Sequence, residues 1–178
     1  MKALSLWQPW ASLIALGVKT IETRSWSTTY RGPLLIHAGQ HLARLDEAPA
    51  CWDLLGLDAY TATRSTEAPS RFPEGEQVAA PLPLGAVVAT CTLEFVVPTE
   101  DVRFDGTQGS DYVLVASPSR ATLHSQSGNE PLGDFTRGRY AWALADIRPL
   151  PEPIPARGRQ GLWTPDADLI AAVEAADA

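Results

Sequence analysis

Lys19, Glu22 and Arg24 stand within six residues of one another, in the stretch from Gly17 to Arg24. A lysine beside a carboxylate in a partly dry cleft has a shifted pKa and can act as a base or a nucleophile. An arginine offers a planar fork that matches a phosphate or a base edge. The same three charges also suit a solvated strand edge whose ion pairs do little. Trp7, Trp10 and Trp26 lie close by in sequence, and aromatic rings stack on nucleobases. Each of them suits a core position equally well.

The elements around these residues can be read from the pattern. Residues 3–6 read as a short first strand. Gln8 and Pro9 open a helix, with proline at its first turn. Trp10, Leu13, Ile14 and Leu16 give that helix an apolar face, and Gly17 ends it. Residues 19–26 have the β-branched content of a strand. Alternation would put Thr20, Glu22 and Arg24 on one face, with Lys19 in the turn before them and free to lean towards Glu22.

Further on, 34–38 reads as a short buried strand bounded by Gly39, and 42–57 has helical spacing with Pro49 at its true start. Residues 61–83 are rich in Pro, Ser, Glu and Gly and read as a flexible surface insertion. Residues 84–97 form the strongest strand pattern, long enough to bend and serve two parts of a barrel. Tyr112–Ala116 suits a short strand or a helix, and 117–134 reads as loop. In 138–147, Tyr140, Trp142 and Leu144 would share one face, with Arg139, Ala141, Ala143 and Ala145 on the other. Four prolines within 149–155 require extended chain. Residues 158–163 would close the sheet, and Thr164 would cap a last helix with Pro165 at its first position.

Composition limits what these residues can do. The chain has 178 residues and is 45% hydrophobic, enough for one domain over 1–178. No apolar run reaches the ~20 residues of a membrane helix, and Gln8 and Pro9 interrupt the first apolar stretch where a signal peptide would continue. A soluble, cytoplasmic protein is expected. The net charge of −7 opposes broad binding to nucleic acid. The charge is uneven, however. Arg137, Arg139, Arg148, Arg157 and Arg159 face only Asp146 and Glu152 between 137 and 163, whereas the end of the chain carries Asp166, Asp168, Glu174 and Asp177 with no base. Such a local basic patch suits a small anion or a few phosphates. Arg137, Arg139, Arg157 and Arg159 form a second candidate cluster, for phosphate or as ordinary surface residues.

Cys51 and Cys91 are too few for a disulfide framework and read as buried thiols. His37 and His41 have the spacing of a helical ligand pair, but Gly39 lies between them and no paired cysteines accompany them, so no metal and no cofactor are expected. His124 and the serines of 117–127 sit in no nucleophile motif, and no phosphate-binding glycine loop is present.

Residues 6–11, Leu-Trp-Gln-Pro-Trp-Ala, followed by Gly17-x-Lys19-x-x-Glu22-x-Arg24, resemble the ASCH domain. Residues 138–142, Gly-Arg-Tyr-Ala-Trp, and 158–163, Gly-Arg-Gln-Gly-Leu-Trp, resemble the later part of longer bacterial and phage members. The resemblance implies an α+β fold, a PUA-like mixed β-barrel with helices packed at its ends. It also implies a cleft lined by the lysine, glutamate and arginine, and single-stranded RNA, a nucleotide or a modified nucleoside as ligand. Some small members are similar to amidohydrolases of acetylated nucleosides, and others have been linked to RNA cleavage. In the deacetylating members a lysine, a threonine three residues on and a distant glutamate carry the chemistry. Lys19 matches the lysine, and Glu22 stands in the threonine's place.

The expected ligand-binding set is therefore Trp7, Gln8, Trp10, Lys19, Glu22, Arg24, Trp26, Arg137 and Arg139. In the alternative reading, a metal-independent hydrolase, Lys19 and Glu22 would be catalytic.

Overall fold

A computed structural model describes residues 1–44, 47–48, 50–51, 55, 82–105, 112–115, 122–124 and 132–177. The expected insertion at 61–83 lies outside the described residues except for Leu82 and Pro83, and so does half of the expected helix at 42–57.

Among the described residues, nine strands and two α-helices follow one another along the chain: β1 (Lys2–Gln8), α1 (Trp10–Ala15), β2 (Ile21–Arg24), β3 (Gly32–Leu42), β4 (Ala86–Pro98), β5 (Val102–Asp105), β6 (Tyr112–Val115), β7 (Thr122–His124), β8 (Tyr140–Pro155), β9 (Leu162–Trp163) and α2 (Ala167–Ala176). A single 3-10 turn, Thr99–Asp101, links β4 to β5. The main sheet has the order β2-β8-β4-β3-β1-β9, and β5-β6-β7 form a small second sheet. β1 and β3 are parallel, and the other pairs of the main sheet are antiparallel.

Alternation along β1 and β3 explains how one sheet serves two cores. Leu4, Leu6, Leu34, Ile36 and Ala38 point into the main core, with Trp142 and Leu144 from β8 and Ala11, Ile14 and Ala15 from α1. Ala3 and Leu35 point the other way, onto Trp163 and onto Val173 of α2. A period of two in the sequence thus becomes a sheet buried on both faces. α1 covers the core face and α2 covers the opposite one.

The long strands bend as their length requires. β4 changes register three times against β8, and these irregularities curl the sheet into a half-barrel. β8 runs through all four prolines as one strand of 16 residues. Between Tyr140 and Ala143 it lies between β2 and β4. Beyond that point β4 is its one strand partner among the described residues, and this is where the prolines fall. Proline cannot donate to a ladder, so it is tolerated where one side of a strand has no partner.

Four expectations are corrected. β3 runs through Gly39 to Leu42, so His37 and His41 lie on a strand rather than at helical spacing. The segment 117–134 contains β7. Pro9 is the N-cap of α1 rather than its first residue. Asp166, not Thr164, caps α2: its carboxylate accepts from the Leu169 N–H at 2.9 Å. The Thr164 hydroxyl instead accepts from Lys2 Nζ at 2.7 Å.

Gly158 marks a tight contact between loop and sheet. A Cβ there would come within 2.3 Å of the His37 ring and 2.7 Å of Ser5 Oγ. His37 is 2% exposed and is held by the Ala156 carbonyl at 2.9 Å from Nε2, so it has no room to retreat. Gly158→Ala is expected to cost about 1–3 kcal/mol, the usual penalty of overpacking. It should lower the melting temperature by roughly 2–4 °C per kcal/mol in a chain of this size, read by thermal denaturation.

Candidate functional site

Two local devices deliver the charged residues. The first is the end of α1. Gly17 takes the left-handed conformation (φ 73°), and its N–H reaches the Ile14 carbonyl at 2.8 Å. The chain then turns back, and Lys19 N–H bonds the Leu13 carbonyl at 3.0 Å. This pins Lys19 against the helix it has just left. The second device is β2, in which Glu22 and Arg24 pair with Trp142 and Tyr140 across the ladder. Cross-strand partners share a face, so both charges point the same way as expected.

Lys19 is completely buried and Glu22 nearly so. The solvated strand edge is thereby ruled out for this motif. Lys19 Nζ donates to the Ile21 carbonyl and lies 3.4 Å from Glu22 Oε2. Arg24 Nε lies 3.1 Å from Glu22 Oε1, so one carboxylate holds two cations. Arg24 then extends Nη2 to the Ser5 carbonyl at 3.1 Å. Burial pushes the Lys19 ammonium below its ordinary value, against the opposing pull of Glu22.

These residues line a cavity of about 610 Å³. Its inner wall is Lys19, Glu22, Thr23 and Arg24; Ser5, Leu6, Trp7 and Trp10 form a second side. The third side comes from Leu132, Gly133, Asp134 and Arg139, with Cys51 and its neighbours completing the rim. Trp7 is 51% exposed and lies 5.6 Å from the His41 ring. Arg139 Nε lies 3.3 Å from Asp134 Oδ2, and its Nη2 donates to the Thr23 carbonyl at 3.4 Å. The Thr136 hydroxyl and N–H, with Arg139 beyond them, hold the Asp134 carboxyl below the usual range.

Of the expected set, Trp7, Trp10, Lys19, Glu22, Arg24 and Arg139 come together at this cavity. Gln8 does not line it. Its amide is consumed inside the fold: Nε2 donates to the Pro83 carbonyl at 2.9 Å and Oε1 accepts from Ser12 N–H at 3.0 Å. Trp26 does not line it either, and stacks edge-on against Trp142 at 4.7 Å in the main core. Arg137 is almost wholly exposed, with Glu100 at 3.5 Å. Arg157 and Arg159 line a separate cavity beside α2. The four arginines are therefore not one cluster.

Sequence reasoning missed Thr23, Cys51 and Asp134. Thr23 faces away from Glu22 along β2, yet its hydroxyl accepts from the Asp134 N–H at 3.1 Å and so ties the third wall to the strand. Cys51 is a buried thiol as expected, but one in the electrostatic field of Lys19. Burial pushes it up while Lys19 pulls it down. Cys91, sealed in the main core, is pushed up to about 12.

The lowered Lys19 value has a definite sign in stability. Between the folded value and the ordinary 10.5, the unfolded chain binds the extra proton, so stability gained from this group rises with pH. Compared with Lys19→Met at each pH, the wild type should gain relative stability as pH climbs towards 10.5 and stay level above it. Urea denaturation of both proteins across that range checks this, and a difference that is flat or falls with pH would contradict the assignment.

A sequence model of the ASCH domain matches residues 4–103. The human protein "Activating signal cointegrator 1" is 36% identical over 72 residues, which is 40% of this chain and 12% of that protein. The mouse protein of the same name is 57% identical over 35 residues, 20% of this chain and 6% of that protein. The chain thus spans only a small part of the length of these relatives. Among solved structures, ASCH from Zymomonas mobilis is similar at 18% identity and a TM-score of 0.46, covering 97% of this chain and 93% of that one. A point mutant of that same bacterial protein gives 18% and 0.45, with 97% and 96% covered. The half-barrel with its two flanking helices is the α+β, PUA-like architecture that the motif implied. The family match takes in more than half of the chain, and the protein belongs to the ASCH domain family.

Proposed function

We propose that the cavity is a binding site for a nucleobase of single-stranded RNA or of a free nucleotide. The observation that carries this reading is the pairing of charges around the cavity. Lys19, Arg24 and Arg139 are matched by Glu22, Glu47 and Asp134, so its lining carries no net charge. A phosphate gains little from arginines already held by carboxylates. A neutral base, with donors and acceptors side by side on its edge, fits such a lining better. Arg24 and Arg139 are still a quarter exposed and can donate to a base carbonyl, while Asp134, half exposed, can accept from a base amine. Glu22 and the buried Lys19 fix Arg24 in place, and Trp7 offers an exposed ring on which a base can stack. No described helix is long and apolar enough to cross a membrane.

A second reading, a metal-independent hydrolase of modified nucleosides, draws on one observation. Lys19 is buried beside a carboxylate with its pKa lowered, the condition in which an amine can take a proton or attack. Incubating N-acylated nucleosides with the wild type and Lys19→Met separates the two. Turnover lost in the variant supports the enzyme, and binding without turnover supports the module.

For the binding reading, Trp7→Ala is expected to weaken binding of a fluorescein-labelled single-stranded RNA by ~1–3 kcal/mol, the usual value of one stacked base. Trp7 is exposed at the rim, so the variant should melt as the wild type does. Anisotropy showing no RNA binding by the wild type, or equal affinity in the variant, would defeat the proposal.

A further inference from the structure

Arg157 and Arg159 line a second cavity, of about 540 Å³, with Trp163, Thr164 and the first turn of α2. Both arginines are exposed, and among the described residues neither forms an ion pair. This sets them apart from Arg24, Arg137 and Arg139, each of which has a carboxylate within 3.5 Å. Asp166 and Asp168 also line this second cavity and balance its two arginines in charge, but among the described residues neither carboxylate pairs with an arginine, and that of Asp166 is engaged in capping α2. Lys2 is drawn to the same side by its bond to Thr164.

The two cavities are linked through one residue, Ser5, which lines the first and bonds a residue lining the second. The Ser5 carbonyl accepts from Arg24 in the first, and Ser5 Oγ accepts from Trp163 Nε1 at 3.2 Å in the second. Gly158, between the two arginines, lies directly against that hydroxyl. The loop carrying Arg157 and Arg159 is thus clamped to the strand that borders the first cavity. We infer that Arg157 and Arg159 form a phosphate-binding subsite for the nucleotide adjoining the one held in the first cavity, so that the ligand is an oligonucleotide rather than a free nucleoside. The inference rests on the base-binding reading of the first cavity and assigns the phosphate contacts which the paired arginines of that cavity do not supply.

The test is the salt dependence of binding to a fluorescein-labelled single-stranded RNA of mixed sequence, beside titrations with the four unlabelled nucleosides. Each phosphate neutralised on a single strand contributes a slope of roughly 0.7 in log affinity against log salt, so Arg157→Gln/Arg159→Gln, which removes the contacts to one phosphate, should make the slope shallower by about 0.7. Nucleoside affinity should not change, and the melting temperature should match the wild type because both side chains are exposed. Arg157→Glu/Arg159→Glu should weaken RNA binding further and still spare nucleosides. An unchanged slope in the double glutamine variant overturns the inference while leaving base binding intact. So does a wild type that binds RNA no more tightly than nucleosides. If neither RNA nor nucleosides bind the wild type, the base-binding reading falls, and this inference falls with it.

Discussion

One buried carboxylate holds the cavity together. Glu22 lies between Lys19 and Arg24, and neither cation would be stable where it is without that charge. Removing one partner of such a buried group typically costs ~3–5 kcal/mol, because the remaining charge is left uncompensated. The backbone around it is arranged accordingly. A left-handed glycine turns the chain so that Lys19 arrives from the end of α1, and β2 presents Glu22 and Arg24 from the other side. Arg24 passes the constraint on to β1 through the Ser5 carbonyl.

That last contact also ties the two ends of the half-barrel together. In the order of the main sheet, β2 is at one edge and β1 is next to the other. β9 pairs only with Ala3 and Leu4, so the ladder on that side of β1 stops before Ser5. Among the described residues no strand continues it; the Arg24 side chain fills the place by donating to the next carbonyl. The opening left where strand pairing stops is where the cavity lies, and a guanidinium closes the seam without sealing it. Fold closure and the mouth of the cavity thus depend on the same residue.

Much of this was legible in the sequence, for physical reasons that also mark where legibility ended. The faces of β2 and β8 followed from alternation, and the turn at Gly17 from the need for a positive φ. The motif of Lys19, Glu22 and Arg24 was recognisable because all three arise from one local stretch. Gln8 and Trp26 belong to the same neighbourhood, but spacing shows which residues are close and not which way each is turned. Gln8 was drawn into the fold by an unsatisfied carbonyl at Pro83, 75 residues away. Asp134 and Thr23 meet only because a distant segment folds back over β2, and nothing in either local sequence announces it. The four arginines looked like one cluster because they are near in sequence. The length of β8 carries them to separate places.

The prolines of β8 have a bearing on how this protein behaves among its copies. Among the described residues the half-barrel leaves part of β8 without a second strand neighbour, and such an edge is a template on which another extended chain can add. Pro149, Pro151, Pro153 and Pro155 occupy alternate positions, and alternate residues of a strand direct their backbone groups to the same side. Four successive donors are therefore missing from one side of this segment, and an incoming strand would find acceptors with nothing to pair its own carbonyls. The open architecture that leaves room for the cavity is in this way made a poor template for a second extended chain along this segment.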